Sequence, residues 1–86
     1  MDFTGKVTVV TGGANGIGRC IVENFVRAGA FAAFADIDEA AGQRLAARLG
    51  DSILFFAGDI AEEPALTAFA EAAVHRFGHI DYLINN

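Results

Sequence analysis

The chain has 86 residues, the size of one small domain near the lower limit for folding alone, and with 53% hydrophobic and 20% charged residues it is not a disordered chain. Its formal charge of −5, without any Lys/Arg cluster, excludes attraction to a nucleic-acid backbone or an anionic membrane surface. One cysteine excludes an internal disulfide and a multi-cysteine metal site, the longest apolar run is too short for a bilayer, the N-terminus lacks signal-peptide character, and a reduced, cytoplasmic setting is expected.

Val7 to Val10 reads as a first strand, apolar on both faces as a central parallel strand should be. Thr11-Gly12-Gly13-Ala14-Asn15-Gly16-Ile17-Gly18 follows it and opens into an amphipathic helix running to Ala28. Glycines let a backbone turn tightly and bring its N–H groups close to a ligand. The first helical turn adds unpaired N–H donors and the positive end of the helix dipole, so a pyrophosphate fits there. In this context Gly12, Asn15, Gly16, Ile17 and Gly18 are candidate cofactor contacts, with Gly18 also allowing the helix to pack closely on the strand. Within the helix, Ile17, Ile21, Phe25 and Ala28 form an apolar stripe, with Val22 and Val26 beside it. Cys20 reads as a small core or packing residue rather than a nucleophile, and Gly29 as a left-handed cap.

Phe31 to Ala35 is a second strand that stops at Asp36, and Asp38 is a plausible N-cap for a second helix. Ala41, Leu45 and Leu49 line its inner face, Gln43, Arg44 and Arg48 face water, and Gly50 closes it. Ile53 to Ala57 is a third strand, ending in Gly58-Asp59-Ile60. A third helix starts near Glu62 to Pro64, and Leu66, Phe69, Ala70, Ala73, Val74 and Phe77 recur along it at helical spacing. His75 and His79 flank its end at Gly78 and read as dipole or surface residues. Tyr82 to Ile84 is the fourth strand, before Asn85-Asn86. Strands alternating with helices demand right-handed crossovers, so the expected fold is α/β: a Rossmann-like half-fold with a parallel four-stranded sheet of order 3-2-1-4 and three helices, residues 1–86 forming one incomplete domain.

Asp36 lies 18 residues after Gly18, at the carboxyl end of the second strand, where a carboxylate accepts hydrogen bonds from ribose hydroxyls. A 2′-phosphate there meets repulsion, and neither Asn15 nor Ile37 offers a compensating cation, so NAD is expected in preference to NADP. Thr11-Gly12-x-x-x-Gly16-Ile17-Gly18 resembles the cofactor signature of the short-chain dehydrogenase/reductase family, and Asp36 falls where NAD-preferring members carry their acid. Asp59-Ile60 resembles the family pair that contacts the adenine ring. Gly78-x-Ile80-Asp81-x-Leu83-Ile84-Asn85-Asn86 resembles the start of the segment ending in Asn-Asn-Ala-Gly, in which the residue matching Asn86 borders the cofactor and ties the fourth strand to the first.

The resemblance implies an oxidoreductase that moves hydride between NAD(H) and an alcohol or carbonyl substrate. It also implies a catalytic Tyr-x-x-x-Lys and Ser downstream of these residues. Here the only tyrosine is Tyr82, followed four residues on by Asn86, and the only lysine is Lys6. No catalytic residue and no metal ligand is therefore assigned, and turnover by these 86 residues alone is not expected. Two other readings stay open: a non-catalytic nucleotide-binding module, and a truncation product that persists by self-association. Since the fourth strand is an apolar edge and the third helix covers only part of its sheet face, a homo-oligomer, most economically a dimer, is expected.

Overall fold

Residues 2–86 are described by a computed structural model in which strands and helices alternate without exception. The elements are β1 (Val7–Thr11), α1 (Gly16–Arg27), β2 (Phe31–Asp36), α2 (Glu39–Leu49), a 3-10 turn at Gly50–Ser52, β3 (Ile53–Ala57), α3 (Glu63–Phe77) and β4 (Tyr82–Ile84). The strands form one sheet in the order β3-β2-β1-β4, every pair parallel. The expected order and helix count are therefore found. The central place of β1 explains its composition, for all five of its residues are buried.

Alternate strand residues serve opposite faces. Val10, Ala32 and Phe34 form one core with Val22 of α1 and Leu45 of α2. Val9, Ala33 and Ala35 form the other with Phe69 and Ala73 of α3. The alanines of β2 let helices approach on both sides, while the fully buried Phe34 fills the first core and stacks on Phe55 at 5.0 Å. Truncating such a ring typically costs about 3–5 kcal/mol.

Three details depart from the sequence reading. Ile17, expected on the buried stripe of α1, is 73% exposed. Gly18 and Val22 are the buried residues of that helix, so the helix is rolled to bring Gly18 inward, and Ile17, about 100° away, points out. Cys20 is likewise exposed rather than in the core. On α3, Phe69 and Ala73 are buried, but Leu66 is 44% and Val74 45% exposed. The stripe is wider than the surface that covers it, because α3 packs over β2 and β3 and no other helix shares that face among the described residues.

The edge strand β4 is held at its start by Asp81. Its backbone N–H donates to the Val7 carbonyl at 2.9 Å, and the Val7 N–H donates to Asp81 Oδ2 at 2.8 Å. The Val7 N–H, with His79 and Lys6 adding to it, pulls the Asp81 carboxyl below the usual carboxylate range. Exposed His79 places Nε2 2.9 Å from the same oxygen. Tyr82 lies on the α1 side, where its ring packs edge-on against Phe3 and beside Phe25. Leu83, on the α3 side in register with Val9, is 63% exposed.

Candidate functional site

The glycine loop begins where β1 runs out of sheet. The Gly12 N–H still donates to the Ala35 carbonyl of β2 at 2.7 Å, and the backbone then turns at Gly12 with φ +67°. That left-handed conformation disfavours any side chain with a Cβ. Six residues later the chain passes back over the turn. A Cβ on Gly18 would overlap the Gly12 carbonyl oxygen and stand 2.5 Å from Asn86 Nδ2. Close approach, rather than an unusual φ, is thus what requires glycine at position 18.

Asn86, just past the end of the neighbouring strand β4, fastens this crossing. Its Nδ2 donates to the Gly12 carbonyl at 2.9 Å, and its backbone N–H donates to Thr11 Oγ1 at 3.0 Å. The end of β4 is thereby tied to the loop that follows β1, the position at which the sheet order reverses direction.

The start of α1 is open. Asn15 occupies its N-cap with extended backbone, yet makes no side-chain hydrogen bond to the helix, and the first turn contains no acidic residue. The Asn15 side chain instead donates to Asp38 Oδ2 at 2.9 Å. In α2, by contrast, Asp38 Oδ1 accepts from the Ala41 N–H at 3.1 Å. The Ala41 N–H and the Asn15 amide together hold the Asp38 carboxyl below its ordinary range.

Asp36, at the end of β2, is half-buried and faces the loop. Its Oδ2 accepts from the Ala14 N–H at 3.1 Å and its Oδ1 from the Asp38 N–H at 2.9 Å. A carboxylate has about four lone-pair sites, so acceptor capacity remains on both oxygens. Asp59, exposed after β3, closes its own turn: Oδ1 accepts from the Ala61 N–H at 3.0 Å, and its carbonyl accepts from the Glu62 N–H at 3.1 Å. Ile60 beside it packs against the core under α3.

Gly12, Asp36, Asp59, Ile60 and Asn86 meet around one cleft of about 350 Å³ at the carboxyl ends of the strands. No lysine or arginine lines it. Gly16 and Ile17 are exposed at the start of α1, Gly18 lies buried beneath the turn, and Asn15 lines a different cavity. Sequence reasoning missed Ala14 as a donor to Asp36, and saw in Asp38 only a helix cap. It also missed Arg19, Arg44 and Arg48 as neighbours, since they converge only when α1 and α2 pack together. Among the described residues, no helix is long and apolar enough to cross a membrane, and no group of three or more His, Cys, Asp or Glu is placed to hold a metal.

The family model described as short chain dehydrogenase matches residues 6–86. The chain is 44% identical over 84 residues to an L-fucose dehydrogenase of Mus musculus, covering 98% of this chain and 30% of that protein. It is 45% identical over 82 residues to a 3-beta-hydroxysteroid dehydrogenase of Comamonas testosteroni, covering 95% and 32%. The crystal structure of a 3-ketoacyl-(acyl-carrier-protein) reductase from Brucella melitensis complexed with NADH superposes with a TM-score of 0.90 at 38% identity, over 93% of this chain and 33% of that one. The chain thus spans about a third of the length of the relatives it matches.

Proposed function

This chain belongs to the short chain dehydrogenase family, and from that premise we propose that its 86 residues form the adenosine and pyrophosphate portion of an NAD site, taking NAD in preference to NADP. The observation that carries the reading is the cleft in which the Asp36 carboxylate and the glycine loop meet with no cation on the wall. The uncapped start of α1 supports it, because N–H donors without side-chain partners are what a pyrophosphate requires. The NADH-bound relative of similar fold supports it as well.

The residues divide the work by chemistry. Gly12 and Gly16 bring the loop backbone close to the ligand, Gly18 lets α1 pass over the turn, and Ile17 presents an apolar side chain at its rim. Asp36 accepts from ribose hydroxyls with the lone pairs that Ala14 and Asp38 leave free, and repels a 2′-phosphate. Asp59 and Ile60 border the adenine. Asn15 and Asn86 act on the loop: Asn15 ties it to Asp38, and Asn86 to the end of β4. The dinucleotide, when bound, supplies the hydride chemistry.

A longer protein containing these residues would transfer hydride between NAD(H) and an alcohol or carbonyl. Residues 1–86 offer no tyrosine–lysine pair for the accompanying proton transfer: Tyr82 packs against Phe3 and Phe25, and exposed Lys6 lies before β1. By themselves they act as a binding unit. A reduced, cytoplasmic setting suits the single free cysteine. We also infer that the 86 residues pair as a homodimer through the β4 edge and the open side of α3, on the exposure of Leu83, Leu66 and Val74.

Calorimetric titration tests the cofactor reading. NAD is expected to bind at least about tenfold more tightly than NADP, the effect of a little over about 1 kcal/mol of charge repulsion. Asp36→Asn should narrow that ratio while circular dichroism shows the fold retained. A preference of the unsubstituted chain for NADP would overturn the assignment.

A further inference from the structure

Between α1 and α2, outside the cleft described above, lies a cavity of about 240 Å³ that brings together Arg19, Arg44 and Arg48. It touches the glycine loop at Ala14 and Asn15. The chain carries six Lys and Arg against eleven Asp and Glu, so half the cations of an acidic protein stand around one small space.

Two carboxylates belong to the same neighbourhood, and both are already engaged. Glu23 Oε1 accepts from Arg19 Nε at 2.8 Å and from Arg48 Nη2 at 2.7 Å. Asp38 accepts from Asn15 and from the Ala41 N–H. Arg44 has no hydrogen-bond or ion-pair partner among the described residues. Each guanidinium carries about five N–H donors, and Glu23 takes one each from Arg19 and Arg48 through a single oxygen. Most of the donors around the cavity are therefore unused, and three positive groups stand against two negative ones.

We propose that this cavity is an anion site that takes a phosphate group, separate from the dinucleotide cleft. Guanidinium forks match phosphate oxygens in pairs, and here they arrive from two helices, Arg19 from one and Arg44 and Arg48 from the other. A tetrahedral group presents oxygens in both directions, whereas a planar carboxylate presents two in one plane. The Arg19 and Arg48 side chains are about half exposed, so binding is weak and salt-sensitive.

The test is a nitrogen–proton NMR titration of the 86-residue chain with inorganic phosphate at constant ionic strength, with acetate and chloride as controls. Saturable shifts are expected at Ala14, Asn15, Arg44 and Leu45 with phosphate only. Arg44→Gln and Arg48→Gln, surface changes to another good helix former, should each weaken the binding roughly tenfold while the rest of the spectrum is kept. Shifts that fail to saturate, that acetate reproduces, or that persist in both variants overturn the proposal. Two further arms identify the source of the phosphate group. Displacement of phosphate by NADP but not by NAD would place the dinucleotide's own 2′-phosphate there and overturn a site separate from the cleft. Retention of the phosphate shifts in the presence of NADP assigns it to a separate phosphate-bearing ligand. Failure of NAD itself to bind removes the function proposed above and leaves the phosphate titration to decide this one.

Discussion

Gly18→Ala tests the crossing on which the site is built. The added Cβ overlaps the Gly12 carbonyl oxygen, stands 2.8 Å from the Gly12 carbonyl carbon and 2.5 Å from Asn86 Nδ2. Two of these atoms are backbone, so no side-chain rotation relieves the overlap; either α1 lifts off β1 or the Gly12 turn moves. Overpacking of this kind costs about 1–3 kcal/mol. Displacing Asn86 from the Gly12 carbonyl adds about 1 kcal/mol, and the better helix propensity of alanine returns about 1 kcal/mol. The net loss is about 1–3 kcal/mol, a large share of the stability of so small a domain. At about 4–8 °C per kcal/mol for this size, the melting temperature should fall by about 5–20 °C. Thermal unfolding followed by circular dichroism measures it, with Cys20→Ala, an exposed change on the same helix, as a control expected to move little. A Gly18→Ala melt within about 2 °C of the unsubstituted chain would refute the close approach of α1 to the turn.

Thr8 is fully buried and its Oγ1 has no hydrogen-bond partner, so Thr8→Val, of nearly the same shape, should raise stability by about 1 kcal/mol in a denaturant titration; a loss would show that the hydroxyl is satisfied in solution. The carboxyls of Asp38 and Asp81 lie below their ordinary value of 3.8 in the folded chain. Their contribution is complete above that value and is lost as pH falls through the lower folded ones, because the unfolded chain takes up protons first. The melting temperature should therefore drop on acidification below about pH 4, and Asp81→Asn should flatten the drop; an unchanged slope would discard the Asp81 latch. Leu83→Lys should shift sedimentation toward a single species near 9.0 kDa while leaving the glycine loop spectrum intact. A monomer already present in the unsubstituted chain at micromolar concentration would remove the dimer.

The fold and the outline of the site are local properties, and the sequence by itself determined them. β-branched and apolar runs, alternating with helical periodicity and punctuated by Gly12, Gly29, Gly50 and Gly78, leave a parallel sheet of order 3-2-1-4 as the economical solution. The same spacing places Gly12, Asp36, Asp59 and Asn86 at strand ends on one edge of that sheet, where they meet. Tertiary structure decided what each group does there. Asp36 shares its oxygens with Ala14 and Asp38, and Asn15 leaves its helix uncapped to bind Asp38, because two turns far apart in sequence come within hydrogen-bond reach. The roll of α1 is set by the contact of Gly18 with Gly12, which turned Ile17 and Cys20 outward; periodicity defines an apolar side but not its orientation to within one residue. On α3 the pattern marks which residues prefer burial, but the width of the surface laid against them fixes which achieve it, so Leu66 and Val74 stay exposed. Arg44 and Arg48 read as water-facing positions of α2 and Arg19 carried no signal, since convergence across two helices depends on their packing, which no one-dimensional pattern encodes.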